Sequence, residues 1–138
     1  MYLVWHDSYS VGYGPIDAQH QNLFAISNRL VDATEKTDGA NDDDLRPIIA
    51  ELLAYTRTHF VDEEQLMAKA GYPDLAQHHA VHVVFENQMR ALEAQVNKGE
   101  VRAVASVLPQ LLNDWLLDHI ATTDQRYRSH VHPGMDSA

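Results

Sequence analysis

The sequence predicts an all-α protein, an up-down-up-down four-helix bundle that follows an extended N-terminal arm. Four segments carry apolar residues at alternating steps of three and four, which is the period of one helix face. Short connections join these segments, and such connections favour antiparallel neighbours. A length of 138 residues suits one domain with a single core. We therefore expect a single domain over residues 1–138, with helices at about 18–37, 44–69, 74–97 and 101–127.

The first fifteen residues are expected to form the arm, because aromatic residues are interspersed there with glycines and a proline. These aromatic residues should pack on the bundle. Asp17 is then predicted to cap the first helix by accepting hydrogen bonds from the free N–H groups of its first turn. Gly39 is a suitable residue to end that helix.

The second helix is preceded by an acidic run that ends at Asp44, and negative charge is favourable at the positive end of a helix dipole. Pro47 should fall in the first turn, where its missing N–H costs little. Gly71 and Pro73 are expected to break this helix.

The third helix has the most regular apolar pattern and should end at Asn97. The fourth contains one discordant residue, Pro109, which removes a backbone hydrogen bond. This helix therefore either begins near Ser106 as its N-cap or kinks at the proline. Residues 128–138 are expected to form a frayed or loosely packed tail.

Composition excludes several classes of site and partner. The chain has no cysteine, which excludes disulfides, thiolate metal sites and iron–sulfur clusters. Its net charge of −10 repels phosphate backbones and anionic lipids, so neither nucleic acid nor a membrane is an expected partner. No apolar run approaches the roughly 18 residues of a membrane span, and the first residues lack the features of a secretory signal. We therefore expect a cytoplasmic protein.

Seven residues of metal-ligand type lie on the apolar faces of the four predicted helices. They are His20, His59, Glu63, His78, His82, His119 and Asp124. Burying these groups without a cation would cost several kcal/mol for each ion, against a typical domain stability of about 5–15 kcal/mol. We therefore predict a metal site in the core of the bundle.

The number of ligands implies two metal ions, because a tetrahedral zinc takes only four. With both carboxylates as bridges, the five histidines divide unequally, three on one ion and two on the other. If both ions take six ligands and share a solvent-derived bridge, the ion with two histidines has an open position for a small ligand. Imidazole-rich sites suit iron, copper, nickel or zinc, so ligand types alone do not identify the metal.

The spacing of the ligands suits a regular helix in two cases and not in a third. Two pairs are four residues apart, which places both members on one side of a helix. These pairs are His59 with Glu63 and His78 with His82. His119 and Asp124 are five residues apart, which rotates them away from each other. Either the Asp124 carboxylate reaches across, or the helix is distorted there.

The ligands and their flanking residues resemble the hemerythrin family, specifically the bacterial hemerythrins. The resemblance runs from about Trp5 to Tyr127 and fills all seven ligand positions. The stretches that carry it are Ile16-Asp-Ala-Gln-His20, His59-Phe-Val-Asp-Glu63, Gly71-Tyr72, His78-His-Ala-Val-His82 and Asp114-Trp-Leu-Leu-Asp-His119-Ile-Ala-Thr-Thr-Asp124.

This resemblance implies two iron ions joined by an oxo or hydroxo bridge, with dioxygen bound reversibly at one of them. It implies that Glu63 and Asp124 also bridge the ions. By the same resemblance, the coordinatively full iron would be held by His78, His82 and His119, and the open iron by His20 and His59. The family has pocket-lining residues at positions similar to those of Leu23, Phe60, Trp115 and Leu116. Simple core packing is the other interpretation of these four residues.

The four remaining histidines are not expected to bind metal. They are His6, His79, His130 and His132. His79 follows a predicted ligand, so it is rotated by about 100° on the helix and should face solvent or a helix boundary. The other three lie in the arm and the tail.

The expected function is that of a dioxygen carrier or store and not that of an enzyme. A sensor of dioxygen or redox state is one alternative, although a chain complete at 138 residues would lack the simplest output. A di-iron enzyme, such as a peroxidase, an oxidase or a nitric oxide reductase, is another. No tyrosine, aspartate or glutamate beyond the seven ligands presents itself as a proton donor, which counts against an enzyme. The sequence leaves any protein partner open.

Overall fold

The computed structural model describes residues 3–35 and 42–131, which form a bundle of four long α-helices. These are α1 (Gly14–Thr34), α2 (Asp42–Lys69), α3 (Leu75–Asn97) and α4 (Val101–Asp118). Each helix packs on the next, and α1 also packs on α4, which closes the bundle. Within these two ranges no strand occurs, and no helix has the length and apolarity needed to cross a membrane. The predicted fold class is confirmed.

The N-terminal arm lies against α1, as predicted. The backbone N–H of Leu3 donates to Asn28 Oδ1 (2.8 Å), and Asn28 Nδ2 donates to the Leu3 carbonyl (2.9 Å). A single 3-10 turn at Asp7–Tyr9 follows. It presents Tyr9 to Phe24 of α1, with ring centroids 6.0 Å apart. Aromatic packing therefore anchors the arm on the bundle.

The prediction that Asp17 caps α1 was wrong, because the helix begins at Gly14 and not near residue 18. Pro15 lies in the first turn, where its fixed φ suits a helix start and its missing N–H has no intrahelical partner to lose. Asp17 lies inside the helix and accepts hydrogen bonds from the preceding chain. Its donors are the Val11 N–H (2.9 Å) and the Ser10 hydroxyl (2.5 Å). Asp17 therefore ties the arm to α1.

The bounds of α2 and α3 differ from the predicted ones by at most two residues. Because α2 begins at Asp42, Pro47 lies in its second turn, and the prediction of a first-turn position was wrong. Gly71 and Gly99 follow the two helices with φ of 70° and 91°, a left-handed conformation that glycine adopts without a steric penalty. The predicted end of the first helix at 37 and its stop at Gly39 lie outside the described residues.

The fourth helix begins at Val101 and runs through Pro109. A start near Ser106 is therefore excluded. Ser106 lies within the helix, where its hydroxyl donates to the Ala103 carbonyl at 2.8 Å. Buried apolar residues lie on both sides of the proline, so packing outweighs the cost of its missing N–H.

After α4 the chain changes helix type twice. A π-helical turn, His119–Thr123, is followed by a 3-10 helix, Asp124–His130. Residues 128–130, which we predicted as part of a loose tail, belong to this 3-10 helix. The tail from His132 onward lies outside the described residues.

Among the described residues the core consists of two apolar clusters, and a polar layer separates them. The larger cluster includes Leu23, and the smaller one includes Ile16. His20 lies between these two residues on α1 and is fully buried. The same order recurs on α2 around Glu63, which is also fully buried. A buried polar layer of this kind requires charge compensation from within the bundle.

Candidate metal centre

All seven predicted ligands lie in the polar layer, and none exposes more than 4% of its surface. Each of the four helical segments of the bundle contributes at least one of them. They come from α1 (His20), α2 (His59 and Glu63), α3 (His78 and His82), the π-helical turn (His119) and the start of the final 3-10 helix (Asp124). Residues that are distant in the sequence therefore meet at one level of the bundle.

The π-helical turn explains how His119 and Asp124 share a face despite being five residues apart. The Asp124 N–H donates to the His119 carbonyl, a hydrogen bond that spans five residues where an α-helix spans four. Both side chains therefore project in the same direction, and His119 Nε2 lies 2.9 Å from Asp124 Oδ1. Of the two alternatives left by the sequence, distortion of the helix is the one found.

The candidate ligand atoms form two groups, and within each group they lie within 4.8 Å of one another. The three-histidine group consists of His78, His82, His119, Glu63 and Asp124. The two-histidine group consists of His20, His59 and Glu63. Glu63 thus belongs to both groups.

Glu63 divides its carboxylate oxygens between the two groups. Its Oε1 lies 3.1 Å from Nε2 of both His78 and His82. Its Oε2 lies 3.3 Å from His20 Nε2 and 3.6 Å from His59 Nε2. A carboxylate in this position can place one oxygen on each of two metal ions.

Asp124 is divided in the same way. Its Oδ1 lies 3.0 Å from His78 Nε2 and 2.9 Å from His119 Nε2, both in the three-histidine group. Its Oδ2 lies 3.2 Å from His20 Nε2, in the two-histidine group. The two carboxylates therefore connect the same pair of groups.

Several of the converging ligand atoms have no hydrogen-bond partner within the ranges that the structure describes. Both Asp124 oxygens and both His20 ring nitrogens are buried and have no hydrogen-bond partner among the described residues. His82 and His119 bring their two Nε2 atoms to 3.1 Å. Adjacent ligands on one ion, at bonds of about 2.1 Å, are about 3 Å apart. The arrangement therefore fits metal ions better than it fits direct pairing.

Before metal binds, imidazolium groups balance the two carboxylates. Burial lowers the pKa of His20, but the carboxylates of Asp124 and Glu63, which lie 3.2 and 3.3 Å from its Nε2, outweigh this effect and raise the pKa to about 10. The same balance raises the pKa of His78 to about 9. In return, and against the effect of burial, the histidines hold the pKa of both carboxyls well below their ordinary values. Burial dominates for His59 and lowers its pKa to about 4, so this ring is neutral at pH 7.

Two of the four predicted pocket residues stack on ligand rings. Phe60 lies against His82, with ring centroids 3.9 Å apart and planes inclined by 7°. Trp115 lies against His119, with centroids 4.2 Å apart. The other two are buried in the larger apolar cluster, and they are Leu23 and Leu116. Aromatic rings therefore cover the three-histidine group on its apolar side.

The other described histidines lie outside the ligand groups. His79 exposes 58% of its side chain, in agreement with the prediction that it faces solvent. His6 and His130 each pack against a tyrosine ring, at centroid distances of 5.5 and 5.3 Å. His132 lies outside the described residues.

Tyr127 lies beside the ligands and was missed in the sequence. It is fully buried, and its hydroxyl donates to Glu63 Oε2 at 3.0 Å. A tyrosine that was not expected as a proton donor therefore lies in hydrogen-bond contact with one of the predicted ligands. Tyr127 follows Asp124 by three residues, and residues three apart share a face in a 3-10 helix. Burial and the two nearby carboxylates raise the pKa of Tyr127 well above its ordinary value, so the hydroxyl keeps its proton.

Residues outside the seven also hold two of the ligand rings. Glu64 Oε2 lies 3.0 Å from His82 Nδ1, and its other oxygen bonds to His79 Nδ1. Gln19 Oε1 lies 2.8 Å from His59 Nδ1. Both residues adjoin a predicted ligand in the sequence, but which ring each one reaches depends on how the helices pack.

Comparison with known proteins adds an independent line of evidence. Residues 11–130 match the family model described as Hemerythrin HHE cation binding domain. The chain is 35% identical over 129 residues to a bacteriohemerythrin of Stenotrophomonas maltophilia (strain R551-3), covering 94% of this chain and 81% of that protein. It is 30% identical to a myohemerythrin of Riftia pachyptila, covering 93% and 92% of the two chains. A crystal structure of wild-type hemerythrin matches with a TM-score of 0.81 at 26% identity, over 94% of this chain and 97% of that one.

Proposed function

The chain belongs to the hemerythrin family, and on this basis we propose which residues hold its di-iron centre. One iron is bound within the three-histidine group, and its terminal ligands are His78, His82 and His119. The other is bound within the two-histidine group, and its terminal ligands are His20 and His59. The bridging ligands are Glu63, Asp124 and an oxo or hydroxo group.

The division of the carboxylate oxygens is the observation that carries this assignment. One oxygen of Glu63 faces each group, at 3.1 and 3.3 Å from the nearest imidazole nitrogens. One oxygen of Asp124 likewise faces each group. A carboxylate that bound only one ion would not need its second oxygen near a different set of histidines. The geometry therefore favours two ions side by side.

We propose that this centre binds dioxygen reversibly and that the protein is a carrier or store and not an enzyme. When bound, a pair of ferrous ions supplies the two electrons that dioxygen accepts and can return. The chain offers five imidazoles and only two carboxylates, where the ferritin-like di-iron proteins have a glutamate on every helix. Fewer anionic donors favour return of the electrons over further oxidation of the centre.

The unequal number of histidines determines where dioxygen has room. The two-histidine group provides one terminal ligand fewer than the three-histidine group. Dioxygen binding is therefore expected beside His20 and His59. The apolar residues of the larger cluster, among them Leu23, Phe60 and Leu116, keep water from this space.

The contacts and the pKa of Tyr127 favour reversible binding of dioxygen over its enzymatic reduction. Its hydroxyl is committed to Glu63, and its raised pKa makes it a weak acid at neutral pH. A general acid works best when its pKa lies near the operating pH. Tyr127 therefore orients a bridging carboxylate and is poorly suited to deliver a proton to reduced dioxygen.

The test is a gas-cycling experiment on the iron-loaded protein. The protein is reduced anaerobically, dioxygen is admitted and then removed under vacuum, and the visible spectrum is followed throughout. A band that appears with dioxygen and disappears with its removal, over repeated cycles, supports the proposal. Immediate and irreversible oxidation would contradict it and would favour the sensor or enzyme alternatives.

A further inference from the structure

Gln19 of α1 and Asp62 of α2 form a half-buried pair beside His59, outside the seven ligands. We propose that Asp62 is a positioning residue, which orients the Gln19 amide so that His59 presents Nε2 to iron. This inference rests on the proposed function, because it requires His59 to be an iron ligand.

A continuous chain of hydrogen bonds runs from Asp62 to the ring of His59. Gln19 Nε2 donates to Asp62 Oδ2 at 2.8 Å. Gln19 Oε1 lies 2.8 Å from His59 Nδ1. On the opposite edge of the ring, His59 Nε2 faces Glu63 Oε2 at 3.6 Å. One ring nitrogen therefore faces the amide, and the other faces the metal site.

The chemistry of these groups allows only one polarity along the chain. An ionised carboxylate only accepts hydrogen bonds, so Gln19 must turn its amino group toward Asp62. The amide oxygen is then left for His59, and it too only accepts. His59 Nδ1 must therefore carry the ring proton, which leaves a lone pair on Nε2 for a metal ion.

Without the carboxylate of Asp62, the Gln19 amide can rotate by about half a turn and present its amino group to His59. A donor at that position stabilises the tautomer whose proton is on Nε2, and this tautomer cannot bind iron through Nε2. Metal-bound histidines usually donate their second N–H to a fixed acceptor, and loss of that partner typically costs about 10–100-fold in metal affinity. The orientation of the Gln19 amide should therefore change the affinity for iron.

A neutral amide must be oriented by a partner, because only one of its two ends accepts a hydrogen bond. A carboxylate needs no such partner, because both of its oxygens accept. His82 in the three-histidine group bonds directly to Glu64, whose oxygens are both acceptors. Rotation of that carboxylate would leave an acceptor in place. Only the amide of Gln19 therefore needs a second residue to orient it, and Asp62 is that residue.

Gln19 and Asp62 both line a cleft of about 330 Å³ between α1 and α2. The cleft lies at the edge of the bundle, and neither residue belongs to the two apolar clusters. Conservative substitutions of this pair should therefore leave the fold intact, and effects on the metal site can be measured in folded protein.

The experiment measures release of iron from the reduced, iron-loaded protein to a ferrous chelator, with the two irons resolved in time. Gln19→Leu removes the acceptor and is expected to speed the loss of one of the two irons by about 10–100-fold. Asp62→Asn frees the amide without removing it, because an asparagine can present either an oxygen or an amino group. Its expected effect is about tenfold, at the low end of the same range.

The double variant Gln19→Glu/Asp62→Asn is the decisive measurement. It exchanges the amide and the carboxylate between the two positions. A carboxylate at position 19 accepts from His59 in either orientation, so release should return to the native rate or fall below it. Because the exchanged pair also keeps a hydrogen bond between α1 and α2, a second variant must test whether such a contact affects iron release by itself.

Glu51→Gln is the matched control, because it removes an exposed ion pair with Arg29 that also joins α1 to α2. It should leave iron release unchanged. The role of Asp62 would be overturned if Asp62→Asn behaved like this control, or if the double variant released iron as fast as Asp62→Asn.

His59→Ala separates failure of this inference from failure of the proposed function. If this variant holds both irons as tightly as the native protein, His59 is not a ligand and the proposed assignment fails. If it releases one iron rapidly while Asp62→Asn and Gln19→Leu do not, the assignment stands and only the role of the pair is wrong.

Discussion

The two halves of the metal site differ in what surrounds their histidines. In the three-histidine group, an aromatic ring stacks on His82 at 3.9 Å, and the Glu64 carboxylate lies 3.0 Å from its Nδ1. In the two-histidine group, His59 meets the neutral amide of Gln19. Each half also contains one histidine whose Nδ1 has no hydrogen-bond partner in the described part of the chain, His78 and His20 respectively. The halves therefore differ in the partner of one ring each, a carboxylate for His82 and a neutral amide for His59.

This difference has a chemical consequence. A carboxylate partner fixes the ring of a histidine ligand and raises its basicity, and a neutral amide does so less. The three-histidine half should therefore retain its iron more firmly, and the two-histidine half should exchange ligands more readily. The surrounding contacts thus strengthen the asymmetry that the unequal number of histidines creates.

Glu63→Gln should have the largest effect, because Glu63 is shared by both halves. The change removes the charge that faces five imidazoles, and breaking a buried ion pair costs about 3–5 kcal/mol. We expect iron content to fall in both halves and the metal-free protein to unfold at a lower urea concentration. Glu51→Gln, which removes an exposed carboxylate of the same helix away from the ligands, is the control for loss of a carboxylate. Loss of only one iron would contradict a bridging role.

His20→Ala should separate the two halves. It removes a terminal ligand of the two-histidine group only, so the bundle and one of the two irons should remain while dioxygen binding is impaired. His82→Ala should instead release the iron of the three-histidine group. Iron content, circular dichroism and the gas-cycling experiment distinguish the two variants. Equal loss of both irons from either one would show that the halves do not behave separately.

Raising the pH should lower the free energy of unfolding of the metal-free protein but not that of the iron-loaded protein. The folded pKa values of His20 and His78, about 10 and about 9, exceed the ordinary histidine value of 6.5. Their stabilising effect is therefore complete below about pH 6.5 and is lost as the pH rises through 9 and 10. Iron takes the place of these protons, so the loaded protein should not show the loss.

Urea unfolding of both forms at about pH 7 and about pH 9.5 checks this expectation. His59 does not alter the sign, because its pKa of about 4 leaves the ring neutral across this window. A metal-free protein equally stable at both values would contradict the proposed balance between imidazolium groups and carboxylates.

The sequence could predict the helices and the location of the ligands because both follow from periodicity. Apolar residues at helical steps identify the buried face, and a histidine on that face must be buried with it. The bounds of α2 and α3 were accordingly predicted to within two residues, and all seven predicted ligands lie in one layer.

Features that depend on helix type or on exact helix starts could not be predicted. The five-residue step from His119 to Asp124 left a distorted helix as one of two alternatives, but no periodic signal specifies a π-helical turn or the 3-10 helix that brings Tyr127 to the site. Asp17 precedes the apolar stripe, as an N-cap would, but Pro15 allows the helix to begin earlier. Hydrogen bonds between helices, such as that of Gln19 with His59, require the packed bundle.

Glu64→Gln should affect iron release less than the changes to the ligands do. It should act on the three-histidine half, whereas Asp62→Asn acts on the two-histidine half. The variant keeps one acceptor oxygen near His82 but removes the charge. We expect release of the iron in the three-histidine half to be accelerated by up to about tenfold, with little change in the other half. Chelator kinetics measure both. Acceleration confined to the two-histidine iron would contradict the assignment of His82.

His79→Ala should have the smallest effect. Its side chain is 58% exposed and bonds to the Glu64 oxygen that does not face His82. Removing it leaves the contact between Glu64 and His82 in place, so dioxygen binding should be native and stability should change by no more than about 0.5 kcal/mol. Impairment equal to that of His20→Ala would refute the assignment of His79 to the solvent face. Iron release as fast as that of Glu64→Gln would instead mean that His79 holds Glu64 in position, and that the firmer half depends on a residue at its surface.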